Sequence, residues 1–350
     1  MFLNEISFFS IFLIAIVFIL LLDLGIFSKK SHALSFRESL IWCVIWISLA
    51  LVFYVFLKFK GNWMHDVNST EDIRNLTEKY LHPITLSNNN FSENLQLYRN
   101  NLSLEFITGY LIEYALSVDN IFVIILIFYS FGVNRKCYKR VLLYGIAGAI
   151  VLRFIFIFLS SALIQKFSWI LYLFGLLLIY TGVRMFISRN KKEKIKTQKH
   201  PVVKFASKYF SVFPRFVGQN FFIRKNEKLF ITPLFLTLLV IEFSDIIFAV
   251  DSIPAIFSVT KDPYIVFFSN IFAIIGLRSL FFLIINIIGK FYYLKHGLSV
   301  LLTFVGLKMI FNHWLKEVGF NTVHSLCVIL FIIIISIILS ILFPKKEKSI

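Results

Sequence analysis

Five carboxylates stand inside apolar sequence, in two places. Glu113 and Asp119 lie in one stretch, together with Ser117 and Asn120. Glu242, Asp245 and Asp251 lie in another, together with Ser244 and Ser252. A charged residue at the centre of a bilayer costs ~2.5–3.5 kcal/mol on insertion scales. Five would cost more than ~10 kcal/mol unless bound cations, shared protons or the nearby Arg153 and Arg278 offset the charge. Every one of these groups offers oxygen. Hard oxygen ligands suit Mg2+, Ca2+ or Mn2+, whereas Cu+ and Zn2+ favour the thiolates and imidazoles that are missing here. The chemistry expected is binding of a hard divalent cation, with Glu113, Asp119, Asn120, Glu242, Asp245 and Asp251 as candidate ligands. A single buried carboxylate is as readily a helix cap or an arginine partner; five repeated in two related places are harder to explain that way. Arg153 and Arg278 read as structural counter-charges rather than substrate contacts.

Helical geometry divides the set. Glu113, Ser117 and Asn120 fall at i, i+4 and i+7, on one face. Asp245 and Ser252 repeat the i, i+7 relation, with Glu242 one turn earlier. Asp119 and Asp251 point about 120° away on an unbroken helix. They converge with the others only if the backbone unwinds locally, which Pro254, just after Asp251, favours. Freed carbonyls would then be further ligands, tolerable where they line a cavity.

The elements that must position these groups are membrane spans. The chain has 350 residues, 58% of them hydrophobic, 18% aromatic and only 16% charged, with mean hydropathy +0.81. A soluble domain of this size could not hide so much apolar surface. Nine segments reach the ~20 residues a spanning helix needs: 6–27, 39–58, 102–131, 137–160, 168–188, 229–258, 263–289, 293–312 and 322–343. The net charge of +17 does not mark a nucleic-acid binder, because the basic residues sit in short loops between apolar runs. Alternate loops carry 24 Lys and Arg on one side and 8 on the other. The positive-inside rule puts the 24 in the cytoplasm, so the N-terminus is outside and the C-terminus inside a bacterial inner membrane. The run 6–22 lacks a basic start and a small-residue cleavage site, and ends at Asp23, so it is expected to be a retained helix with Asp23 structural. Cys43, Cys137 and Cys327 form neither a disulfide framework nor a zinc motif. Loop 189–228, with twelve basic residues, is expected to be a solvated cytoplasmic loop. Loop 59–101 is expected to be a flexible extracytoplasmic linker without a site.

The middle of the chain resembles itself. Val118-Asp119 aligns with Val250-Asp251, which sets Glu113 opposite Asp245, each six residues before the aspartate. Ile150-Val-Leu-Arg153 matches Ile275-Gly-Leu-Arg278, and Thr181-Gly182-Val-Arg184-Met185 matches Val305-Gly306-Leu-Lys308-Met309. Each copy holds three spans, and an odd number inverts the second copy relative to the first, a construction used by many secondary transporters. The expected architecture is an all-α polytopic membrane protein of about nine transmembrane helices. Two N-terminal spans (1–58) and the loop 59–101 precede repeat 1 (102–188). The basic loop 189–228 leads to repeat 2 (229–312), and a last helix and basic tail follow (313–350).

Leu116-Ser-Val-Asp119-Asn120, Phe248-Ala-Val-Asp251-Ser252-Ile-Pro254 and Ser269-Asn-Ile-Phe-Ala-Ile-Ile-Gly-Leu-Arg278 resemble the TerC/Alx family of integral membrane proteins. So does Leu22-Asp23-Leu-Gly-Ile-Phe27. The resemblance covers the first eight spans, and loop 59–101 looks like an insertion. It implies manganese efflux from the cytoplasm, with Glu113, Asp119, Glu242, Asp245 and Asp251 forming the metal path. Some members are linked to tellurite resistance or to loading metal onto exported enzymes. The function expected is a Mn2+ exporter working by alternating access, with protons as counter-ion and no tightly bound cofactor. The alternative is a non-transporting scaffold in metal or tellurite stress, or in metalation of secreted proteins beside the secretion machinery. An intramembrane aspartyl protease would need a Gly-x-Gly-Asp signature, which the chain lacks, so no enzyme is expected.

Overall fold

Local sequence says where most helices begin. Ser35 and Ser69 each accept a hydrogen bond from the N–H three residues on, while Glu38 and Asp72 accept one from the cap backbone. Asn90 and Asn134 cap with their side-chain oxygens. Thr232 and Asp262 do the same ahead of Pro233 and Pro263, whose missing N–H is harmless in a first turn. The computed structural model describes residues 5–25, 35–87, 90–167, 169–188, 201–225, 227–286, 293–320 and 322–343. The side chains of Asp23, Asp119 and Asp251 lie outside that description, although their backbone is helical.

The elements are α1 (Glu5–Gly25), α2 (Phe36–Lys60), α3 (Thr70–Tyr80), α4 (Phe91–Phe131), α5 (Arg135–Lys166), α6 (Ile170–Ser188) and α7 (Pro201–Tyr209). An antiparallel hairpin, β1 (Phe222–Lys225) and β2 (Lys228–Ile231), pairs Phe222 with Ile231. Then come α8 (Pro233–Phe257), α9 (Pro263–Ile285), α10 (Leu294–Ile310), α11 (Asn312–Glu317) and α12 (Thr322–Leu342). Among the described residues seven helices are long and apolar enough to cross a membrane: α2, α4, α5, α6, α8, α9 and α12. Shorter apolar stretches, Ser7–Ile19 and His296–Ile310, fall where the first and eighth spans were expected.

Helix α9 is the axis of the bundle, buried on every side along almost its whole length. It packs on α2, α4 and α5, while α8 packs on α4 and α5, and α12 covers α4 and α10. Around one end of α9 the core is phenylalanine: Phe8, Phe9 and Phe12 of α1 and Phe53 of α2 pack on Phe267, Phe268 and Phe272, with Phe12 and Phe268 centroids 4.3 Å apart. The α6–α10 seam is closer still. A methyl at Gly306 would sit 2.6 Å from the Gly175 carbonyl oxygen and 3.0 Å from the Ile179 nitrogen. One at Gly182 would sit 2.8 Å from the Ser299 carbonyl oxygen and 2.9 Å from the Thr303 nitrogen. The rim carries exposed Ile14, Val52, Val151, Ile155, Leu176, Tyr180 and Ile341. Such faces suit lipid rather than water.

One expectation is corrected and one open condition is decided. Helices α4 and α8 run unbroken through Asp119 and Asp251, so there is no unwinding. Pro254 lies inside the last turn of α8. There one missing N–H costs a single bond, and the turn is held by buried Ile253, Ala255, Ile256 and Phe257. The described residues of 59–101 are not a flexible linker: they form a 3-10 turn, α3 and the first turns of α4, with His65, Ile73, Tyr80, His82 and Tyr98 buried. Residues 201–228 of the basic loop carry α7 and most of the hairpin, mainly exposed, with Ala206 buried against Ile231 and Leu236.

Candidate functional site

Arg153 of α5 is the centre of the intramembrane site. Its side chain is fully buried. Its Nη1 donates to Glu113 Oε1 of α4 in a very short contact, and to Ser252 Oγ at 3.4 Å. Its Nε and Nη2 donate to Asp245 of α8, at 3.3 and 3.1 Å. One guanidinium therefore ties together the two carboxylates that the repeat alignment set opposite each other. Guanidinium suits this task, since its planar fork presents several donors in fixed directions and stays charged when buried. The counter-charge expected of Arg153 is met.

The other candidates surround this triad. Asn120, two turns along α4 from Glu113, and Asp245 line a cavity of about 30 Å³ with Gly145, Ala149, Ile241, Phe248, Ile274 and Leu277. That is room for a water-sized occupant. Ser117 is buried between Glu113 and Asn120, and its hydroxyl has no hydrogen-bond partner among the described residues. Glu242 lies one turn before Asp245 and lays its carboxylate on the backbone of α5 at Gly148. A methyl there would overlap both carboxylate oxygens. The geometry thus brings Glu113, Asn120, Glu242 and Asp245 into one region between α4, α5 and α8. Asp119 and Asp251 belong to the same helices, but their side chains lie outside the described residues. Among the described residues no three of His, Cys, Asp and Glu are grouped as a metal cage. Sequence reasoning missed the glycines. The pair Gly145 and Gly148, three apart on one helix, was the available signal that something bulky and polar packs there.

A second polar cluster joins the 61–82 lobe to the α8–α9 loop. His65 Nε2 meets Asp262 Oδ2 at 2.8 Å, and its Nδ1 is 3.3 Å from Glu5. His82 Nδ1 meets Glu105 Oε1 at 2.9 Å, and Thr260 Oγ1 donates to Glu105 Oε2 at 2.6 Å. Burial alone would lower the His65 pKa, but the charge and hydrogen bond of Asp262, aided by Glu5, push it up to about 9. For His82 burial again lowers and Glu105 outweighs it, so the pKa is raised. Burial would raise Asp262, yet the charge and hydrogen bond of His65 hold it below the ordinary carboxylate value. These are charged, paired groups, and they explain why the lobe is ordered.

A family model described as "Integral membrane protein TerC family" matches residues 98–348. The chain is 42% identical over 300 residues to "Putative membrane-bound redox modulator Alx" of Photorhabdus laumondii, covering 85% of this chain and 84% of the relative. It is 41% identical over 318 residues to "Uncharacterized membrane protein STKORF319" of Myxococcus xanthus, covering 90% and 88%. The protein named as Alx in Escherichia coli K12 is 38% identical over 326 residues, covering 92% of each chain. No solved structure matches.

Proposed function

The chain belongs to the TerC family of integral membrane proteins, and on that premise we propose that it carries a divalent metal cation, Mn2+ in the first instance, out of the cytoplasm through its intramembrane carboxylates. The observation that carries the reading is Arg153 bridging Glu113 and Asp245 beside the Asn120 cavity. Arginine stands where positive charge is needed. The carboxylates of Glu113, Glu242 and Asp245 outnumber the one guanidinium among them, so the region favours a further positive charge. Cargo entering from the cavity competes with Arg153 for Asp245 and Glu113. On the far side protonation of the carboxylates releases it, so that protons are the counter-ion. Manganese, among hard cations, rests on the family resemblance.

The inverted repeat gives this cycle its mechanical basis. Helices α4, α5 and α6 form one copy and α8, α9 and α10 the other. The shift that takes Gly182 to Gly306 also takes Gly175 to Ser299 and Ile179 to Thr303, so the two halves of the α6–α10 seam exchange. Likewise α4 packs on α9 as α8 packs on α5. The remaining features of the reading are nine spans in a bacterial inner membrane, an outside N-terminus and no enzymatic activity. The relatives' names speak of redox modulation; here Cys43, Cys137 and Cys327 are all free.

Purified protein in liposomes loaded with a Mn2+-sensitive dye tests the proposal. Wild type should move Mn2+ down its gradient, and Glu113→Gln or Asp245→Asn should cut the rate at least tenfold. In cells, Asp119→Asn and Asp251→Asn should raise manganese content and sensitivity. A wild-type protein that passes no Mn2+ overturns transport and leaves the scaffold reading in its place.

A further inference from the structure

Asn270 lies about two turns into α9, fully buried, and neither its amide nitrogen nor its amide oxygen has a hydrogen-bond partner among the described residues. It caps no helix, standing about two turns inside α9 from its N-cap Asp262. Native interiors rarely keep such a group, because desolvating an amide carries a cost that only a bond offsets. Its direction is set by the helix. Ile274 and Leu277, four and seven residues on, line the cavity with Asn120 and Asp245, so Asn270 occupies the same face one turn away.

Its height in the bundle follows from its neighbours. Ser269 and Ile256 both crowd Gly109, each 3.0 Å from where a methyl would be. Phe267 packs on Phe154, the residue after Arg153, with centroids 5.7 Å apart. This stretch of α9 therefore runs beside the residue after Arg153 on α5 and one turn short of Glu113 on α4, and Asn270 stands one turn from the cavity-lining Ile274. Within about a turn of that height α4 offers Glu113, α5 Arg153 and α8 Ser252, all joined through the guanidinium. Helix α9 contributes an amide.

We propose that Asn270 donates a side-chain oxygen to the transported cation, as the contribution of α9 to a coordination set whose other oxygens come from α4 and α8. An amide oxygen is a suitable hard, neutral ligand: it adds a bond without adding to the buried negative charge. This rests on the transport reading above.

The test measures Mn2+ affinity of purified protein by competition for free Mn2+ in electron paramagnetic resonance, together with melting with and without Mn2+ and flux in liposomes. Asn270→Leu, of similar volume, should bind Mn2+ at least tenfold more weakly, lose the Mn2+-induced rise in melting temperature and slow flux. Without Mn2+ it should melt no lower than wild type. Asn270→Asp keeps the oxygen and should bind Mn2+ at least as tightly as wild type. A structural role predicts the reverse pattern, lower stability without metal and unchanged affinity of the folded protein, and that result overturns the proposal. Asn270→Asp weakened as much as Asn270→Leu also overturns it, and remains decisive if the leucine variant does not fold. If wild type itself neither binds nor moves Mn2+, the transport reading fails together with this one; if only the variants match wild type, Asn270 alone is at fault.

Discussion

At Gly148 the absence of a side chain is what lets the Glu242 carboxylate rest on α5. Gly148→Ala should displace that carboxylate and lower Mn2+ flux severalfold in liposomes. Gly145→Ala is the milder comparison: its methyl would meet Ile241 at 3.6 Å, Leu238 at 3.9 Å and the Glu242 carboxylate at 4.0 Å, ordinary contact distances, so flux should fall less than in Gly148→Ala. Equal effects of the two substitutions would count against a special place for Glu242. Arg153 makes a different point. Arg153→Met strands the buried Glu113 without its partner, a loss of about 3–5 kcal/mol for such pairs, read as a lower unfolding midpoint in detergent. Adding Glu113→Gln should recover part of it, and strict additivity of the two changes would show that they do not interact. The carboxylates were legible from their types and their apolar setting. Their joint arginine was legible only as a counter-charge, because nothing in linear spacing says which acid, 40 or 92 residues away, it meets.

Among the elements, the α6–α10 seam is the most exacting. Backbone approaches backbone at Gly175, Gly182 and Gly306, so Gly306→Ala or Gly182→Ala should cost about 1–3 kcal/mol, the usual penalty of overpacking. Tyr180, on the exposed side of α6, should accept Ala with little change. Thermal melts of the three variants check this, and equal melting temperatures would refute a close-packed seam. Helix starts were readable, since Ser, Asn, Thr and Asp caps act within three residues. Helix α4 still begins eleven residues before the apolar pattern does, at Phe91 rather than 102. Its first turns are polar on one side and held by tertiary contacts, which hydropathy does not register. The break near Asp251 that convergence required is absent for the same reason. A proline signals a lost hydrogen bond, but packing on both sides of Pro254 decides whether the helix ends.

Over the whole molecule, pH should act through the lobe at residues 61–82. His65 holds its proton more tightly when folded, at about 9 against an unfolded value near 6.5. Its stabilisation, about 3 kcal/mol at most for a shift of this size, is complete below the unfolded value and is lost as pH rises through about 9. Asp262, shifted down, adds a contribution lost only toward acid. The melting temperature should therefore fall as pH rises from about 6.5 to about 9, and that slope should shrink in His65→Ala, leaving the part that the raised His82 supplies, while the variant should also be less stable at pH 7. A slope unchanged by the substitution would place the titration elsewhere. Composition and periodicity by themselves determined that the chain is a polytopic helical membrane protein with acids inside related segments, because hydrophobic length and period are properties of contiguous residues. Only the tertiary structure decided that Arg153 joins Glu113 to Asp245, that Glu242 rests on Gly148, and that His65 and His82 order a loop that sequence reads as linker. Each depends on distances between helices remote in the chain, and those are set by side-chain packing.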